Sequence, residues 1–579
     1  MIPSTLKGHD TGGFLGVNLR QDRLRLADGD VARAINADLH TQPGTIMLRL
    51  GRARQFDTAF ADLTIRQLVR YYGGARYRAA GNSLYRNETA IYSGLSGELV
   101  TTMVPFRPLN DTTTYMFIAD QSRMQKDSGT ALSDWGVAAP STKPTVATGA
   151  STGLTGAYSF RYTYIRKVGG VTVYESNPSP VSDTVNPVTQ DIAISGLIDS
   201  TDSTITHKRI YRTTGDATTY LFDQDIATGT TTGTSSQGDT ALGGEVETDN
   251  DQPPEASWCF SYLEHMFLLR DEDNPHFLWW SKRYQPESVP AENFIEIGHP
   301  QDPLQCGVSY GGLAGVFSRL TKYRILGNTT SGFVHQEAMS KRGTPAFKAV
   351  VASEHGIIFP ALDGIFVTQL VSPDTEVTNE IEPLFFGETV NGFYPINWGA
   401  ASQFTAAVFK GRYYLSYADT RSQTPNMLMV YSFDTKRWYF YDHPLSSFFV
   451  EEDRNVLTAG TQTGFVIHME TGSDDEGEDI AMEVETRDYA GEEGSNILKL
   501  YQFMRVDADT LGESVNVDLY LDDTRRATLY ISHNGRSSKL YSLPPSLLGY
   551  KWRAKARYTG TARVRIYSAG TMYVPLSAA

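Results

Sequence analysis

The chain has 579 residues, with 66 Asp and Glu against 51 Lys and Arg, a net charge of −15 and two cysteines. That length holds roughly three to five domains at ~100–200 residues each. Charged residues make up 20%, below the ~25% usual for globular chains, which argues against a disordered chain or a coiled coil. The acidic surplus excludes a module that grips nucleic acid through its phosphates. Cys259 and Cys306 lie in the apolar runs WCF and LQCGV and read as reduced core residues, not as a disulfide framework. No run approaches the ~18 uninterrupted apolar residues of a membrane helix, and the start MIPSTLKGHDTGG lacks an apolar signal core. The expectation is a soluble chain made in the cytoplasm.

Helical periodicity is nearly absent. The one candidate helix is DGDVARAINA (28–37), with an Asp start signal and Val31, Ala34 and Ile35 on one side. Elsewhere short alternating or apolar runs are separated by Gly, Asn, Asp and Pro. LVRYYGGARYRAAGNSLYRN (68–87), SYLEHMFLLRDEDNPHFLWWS (261–281), VVASEHGIIFPALDGIFVTQL (350–370), AAVFKGRYYLSYADT (406–420) and MLMVYSFDTKRWYFYDH (427–443) each predict a hairpin. Turns such as Asp363–Gly364 and Lys410–Gly411 supply the positive φ that tight hairpins require. Loose repetition of four-stranded meanders predicts a β-propeller; a pair of β-sandwiches is the competing layout.

Composition shifts twice. From Pro140 to Asn250 the chain is rich in Thr, Ser and Gly, with turn signals every ~8–12 residues, the rhythm of a fibronectin-type sandwich inserted at a loop tip. At TGSDDEGEDI (471–480) five acids crowd together: Asp474, Asp475, Glu476, Glu478 and Asp479. Alternating strands follow, predicting a small C-terminal β-domain. The expected organisation is therefore all-β: an N-terminal segment and first propeller blades in 1–140, a fibronectin-III-like sandwich in 141–250, remaining blades in 251–470, and the C-terminal β-domain in 471–579. Charge differs by segment. Residues 1–141 hold 16 basic and 13 acidic side chains, whereas 251–470 hold 15 and 25.

Chemistry-bearing motifs are missing: no GxxxxGK[ST], no HExxH and no CxxC occur. No catalytic, metal or cofactor residue is assigned, and no enzymatic activity is expected. A hidden pair of carboxylates could serve a glycosidase, since that chemistry needs only two facing groups. The acidic run lacks the ligand alternation of an EF-hand and reads as a solvated loop. Trp279, Trp280 and the run Trp438–Tyr439–Phe440 read as core, with sugar stacking as the alternative.

The order of pieces resembles a known family. INADLHTQPGTIMLRLGRA (35–53) precedes hairpins and a Thr/Ser-rich insert containing SNPSP and RIYRTTGD; then come SYLEHMFLLRDEDNPHFLWWSK, GVFSRLTKYRILG, GIIFPALDGIFVTQ and MVYSFDTKRWYFYD. Over roughly residues 20–470 this is similar to the nozzle (tail tubular, or packaged-DNA stabilisation) proteins of short-tailed bacteriophages. The resemblance implies a structural part of the virion tail, assembled in the host cytoplasm as a homo-oligomer, a six-fold ring. Its expected partners are the portal and adaptor proteins above it, tail fibres or spikes, and double-stranded DNA passing through the lumen without sequence-specific binding. It implies no cofactor and no catalytic residue. In that setting Asp474, Asp475, Glu476, Glu478 and Asp479 become candidate channel residues, because acids repel a sliding polyanion over about one Debye length, ~8 Å. The alternative is a carbohydrate-binding or depolymerising propeller of the phage tail.

Overall fold

Long apolar runs such as HMFLLRD and RYYLSY show no alternation, which is how a strand reads when both faces of its sheet are covered. A computed structural model describes residues 6–60, 63–70, 74–97, 100–121, 123–150 and 153–576, and shows this arrangement repeatedly. The protein is all-β, a β-propeller with an inserted sandwich and a C-terminal β-domain. Its chain divides into two compact units, one comprising residues 1–73, 78–81 and 342–579, the other 74–77 and 82–341.

In the second unit three antiparallel meanders have four strands each. They are Thr102–Phe106 to Leu132–Asp134, Ala256–Tyr262 to Phe294–Glu296, and Leu304–Tyr310 to Gly332–Glu337. The middle meander is covered on both sides. Cys259, Met266 and Leu268 pack with Phe117 and Trp135 of the first; Phe260, Phe267 and Leu269 pack with Val316, Ile325 and Phe333 of the third. Both cysteines are free and buried. Burial is the main influence on each thiol and pushes Cys259 up to about 12.

The insert is a sandwich. One sheet has the order Val171–Glu175, Phe160–Val168, His207–Arg212, Leu221–Ala227; the other runs Thr145–Thr148, Ile192–Ser195, Gly233–Ser235. Phe160, Tyr162, Ile192, Ile194 and Ile210 fill the space between them. A buried ion cluster joins this sandwich to the neighbouring meanders. Glu287 accepts from Arg166 Nη2 at 2.5 Å and from Lys126 Nζ. Arg166 belongs to the insert, Lys126 to Arg123–Asp127. Tyr174 of the insert exchanges hydrogen bonds with Val137 N at 2.8 Å and Val137 O at 3.0 Å.

The first unit repeats the two-sided burial. In the meander Thr405–Phe409, Arg412–Tyr417, Met427–Ser432, Arg437–Tyr441, alternate residues Tyr414, Leu428, Val430 and Tyr439 face the sheet of Leu445–Glu451. Tyr413, Leu415, Met429 and Trp438 face the other way, into the largest core. The sheet of Leu445–Glu451, Val456–Thr461 and Val466–Met469 takes its fourth strand, Arg52–Arg54, from the N-terminus.

One expectation is corrected here. Residues 28–37 form no helix: Asp30–Ile35 is a strand, antiparallel to Ile480–Thr486 and buried at five of its six positions. Neighbouring strands take its backbone hydrogen bonds, which overrides a weak local helical pattern. The C-terminal β-domain takes strands from the N-terminus as well. Lys7–Asp10 pairs with Arg565–Pro575, which also pairs with Ile46–Leu48. Residues 7–48 thus pair with the C-terminal sheets, and the division between the two units falls at Arg342.

The cluster around Glu287 predicts a pH dependence. Burial alone would raise its carboxyl; the charges of Lys126 and Arg166 outweigh burial and hold it at about 2. A carboxyl lowered from its unfolded ~4.3 adds stability above that value, which is lost as pH falls towards 2. Urea titrations at neutral pH and at low pH should show this loss, and Glu287→Gln should reduce it. At neutral pH the same variant should cost about 3–5 kcal/mol, because two buried cations lose their counter-charge.

Candidate functional site

Two places are built from converging polar groups. The first holds the acidic run, in the first unit. Its backbone is drawn against the N-terminal strand: Arg52 N donates to Asp474 O at 2.9 Å, and Thr471 N to Gly51 O at 3.0 Å. Gly51 permits the approach, since a Cβ there would lie 1.8 Å from Asp474 O. Arg49, 2% exposed at its side chain, forks onto Asp475 with Nη1–Oδ1 at 2.8 Å and Nη2–Oδ2 at 2.5 Å. Its Nε donates to Asn36 Oδ1 at 2.9 Å. Arg52 Nε lies 2.9 Å from Glu476 Oε1, and Arg54 pairs with the other oxygen. His443 sits beside Arg52, with Nδ1 at 3.3 Å from Arg52 Nη1. Burial and the two neighbouring arginines, Arg49 and Arg52, hold its ring well below the usual histidine range, so it is neutral and can accept.

The five acids therefore separate. Asp475 and Glu476 are neutralised inside the fold, and the Asp474 carboxylate accepts from Gly477 N at 2.7 Å, closing the turn. Glu478 and Asp479 alone are exposed. As a set the run is a latch between chain ends, and its half-buried members do not present free charge to a channel. The N-terminal arginines and the acidic run meet here within one chain. Acids of 251–470 are also consumed internally, as in Arg412 Nη2–Glu470 Oε2 at 2.5 Å.

The second place is a cleft of about 660 Å³ in the second unit. It lies among the segment leaving the insert (248–251), the ends of His265–Asp271 and Phe277–Trp280, the loop 290–293 and the turn 328–333. Lys282 spans one side; its ammonium holds Asp249 Oδ1 at 2.5 Å, Glu247 Oε2 at 2.8 Å and Asn250 Oδ1 at 2.8 Å. Asp251 accepts from Asn177 Nδ2 at 2.7 Å and Ala291 N at 3.2 Å. His265, 5% exposed, lies 2.6 Å by Nδ1 from Ser281 O. A carbonyl only accepts, so Nδ1 carries the proton and Nε2 bears a lone pair. That Nε2 is buried without a hydrogen-bond partner. Burial is the main influence lowering His265.

Sequence reasoning read Trp280 as core with sugar stacking as the alternative, and it missed His265, Asp249 and Asp251 as a group. Their separation along the chain carries no spacing signal. Trp438, Tyr439 and Phe440 are fully buried core residues, as their strand position predicts. Among the described residues no group of three or more His, Cys, Asp or Glu is placed to hold a metal, and no helix is long and apolar enough to cross a membrane.

No family model matches the sequence and no curated protein matches it. Among solved structures, BamB from Moraxella catarrhalis overlays with a TM-score of 0.30 and 9% identity, over 73% of this chain and 97% of that one. The exo-β-1,3-galactanase of Phanerochaete chrysosporium, solved with galactose, overlays with a TM-score of 0.22 and 7% identity, over 55% and 96%. Overlaps this loose carry no argument about activity; the propeller assignment rests on the chain's own meanders.

The latch can be broken from either side. Arg49→Ala strands the Asp475 carboxylate in a half-buried turn, and Gly51→Ala forces Asp474 away. Both variants should be destabilised, Arg49→Ala by about 3 kcal/mol. Hydrogen exchange should speed up across 471–479 while the strands at 256–337 keep their protection.

Proposed function

We propose that this chain is a non-catalytic wall subunit of a short-tailed phage tail nozzle. It assembles as a ring with portal and adaptor proteins on one side and fibres or spikes attached, and DNA passes through it. The observation that carries the reading is the weaving of the chain ends. Residues 7–54 supply strands to the C-terminal sheets and to the sheet of Val466–Met469. Pulling either end must break several antiparallel ladders together, which suits a wall under load. The element order that resembles the nozzle family supports the same reading.

Charge is compatible with a conduit. A wall that DNA must slide past should not release counterions by binding phosphates, and the chain's net charge of −15 opposes such binding. The repelling surface would have to come from exposed acids such as Glu478 and Asp479, since Asp475 and Glu476 are already paired.

Negative-stain imaging of the purified chain, alone and mixed with tail extract, tests the proposal. Six-fold rings or density attached to tails are expected, with no retardation of linear duplex DNA at physiological salt. A chain that stays monomeric in both preparations and hydrolyses polysaccharide would overturn it in favour of a depolymerase.

A further inference from the structure

We propose that the cleft lined by His265, Trp280, Asp251 and Asn328 binds a neutral saccharide. This goes beyond the nozzle reading and does not depend on it. His265, in the lining of this cleft, has a buried Nε2 with no hydrogen-bond partner. His265 is tied back to its strand through Nδ1, which directs Nε2 to the opposite side of the ring. Phe333 stands edge-on to that ring at 5.2 Å and Trp280 stands edge-on to Phe333 at 5.5 Å. The imidazole is thus fixed by packing, with a buried acceptor that needs an O–H or N–H donor. An unsatisfied buried polar atom costs about 1–3 kcal/mol, a cost that a ligand hydroxyl would recover.

The rest of the lining sets the ligand's charge. Asp249, Asp251 and Glu292 stand against Lys282 and Arg283, close to balance. Lys282 is already held by Asp249 and Glu247, and Arg283 pairs with Glu264 at 3.2 Å. Neither sign is in enough excess to select an ion. The open groups are neutral or one-sided. Asn328 Oδ1 accepts from Thr330 N at 2.8 Å and Ser331 N at 2.9 Å, leaving its NH2 to donate outward. Asp251 has lone pairs to spare beyond its two donors. A ligand must therefore donate to His265 and Asp251 and accept from Asn328. A sugar hydroxyl does both from one atom. The volume of about 660 Å³ lies in the ~300–1,000 Å³ range of small-molecule sites.

The test is saturation-transfer NMR on the full chain with a panel of neutral di- and trisaccharides built from glucose, galactose and N-acetylglucosamine. Transfer to at least one member is expected. Thr330→Trp, on an exposed turn, should fill the cleft and abolish it. His265→Phe keeps the ring packing, removes the acceptor and should weaken binding about tenfold. Matching melting curves would show that both variants fold. Absence of transfer from every sugar in the panel would overturn the proposal, as would transfer that survives Thr330→Trp.

Discussion

The constraint beneath the whole structure is that each four-stranded sheet must hide two faces. A sheet with one wet face alternates apolar and polar residues; these sheets do not. Leu268 and Leu269 are neighbours in sequence, yet both are buried, one against Trp135 and the other against Val316. Tyr413 and Tyr414 divide in the same way between two cores. Each meander is stable only beside another, which makes repetition a physical requirement. At ~25 cal/mol per Å² of apolar surface removed from water, a sheet with one face uncovered would forfeit about half its driving force.

Ionic groups are placed with similar economy. The insert is held across its connections by a carboxylate shared by Arg166 and Lys126, together with the Tyr174–Val137 and Asn177–Asp251 hydrogen bonds. Buried ion pairs add little net stability compared with apolar packing but penalise every arrangement that separates them. Arg49 does the same for the chain ends through Asp475. The protein thus uses hydrophobic area for stability and buried charge for registration. Its surface keeps an excess of acid, a property of solubility and of repulsion from polyanions.

The cleft and the latch were legible to different degrees. The five crowded acids were visible as a composition spike, but their pairing was not, because Arg49 and Asp475 are 426 positions apart. The spike read as free charge, and the fold turned most of it inward. The cleft had no local signature. The meaning of His265 depends on Ser281, Phe333 and Asn328 arriving from three other segments.

Local sequence alone determined that the chain is all-β, that it is built of hairpins joined by tight turns, and that a Thr-rich sandwich interrupts them. These follow from strand-length apolar runs and from glycines such as Gly411, φ 68°, whose conformation is set within a few residues. Tertiary structure decided that 30–35 is a strand, that residues 7–54 belong with the C-terminal sheets, and which charges are spent inside the fold. Backbone pairing and ion pairing across hundreds of residues are energies of position, and position exists only once the chain has folded.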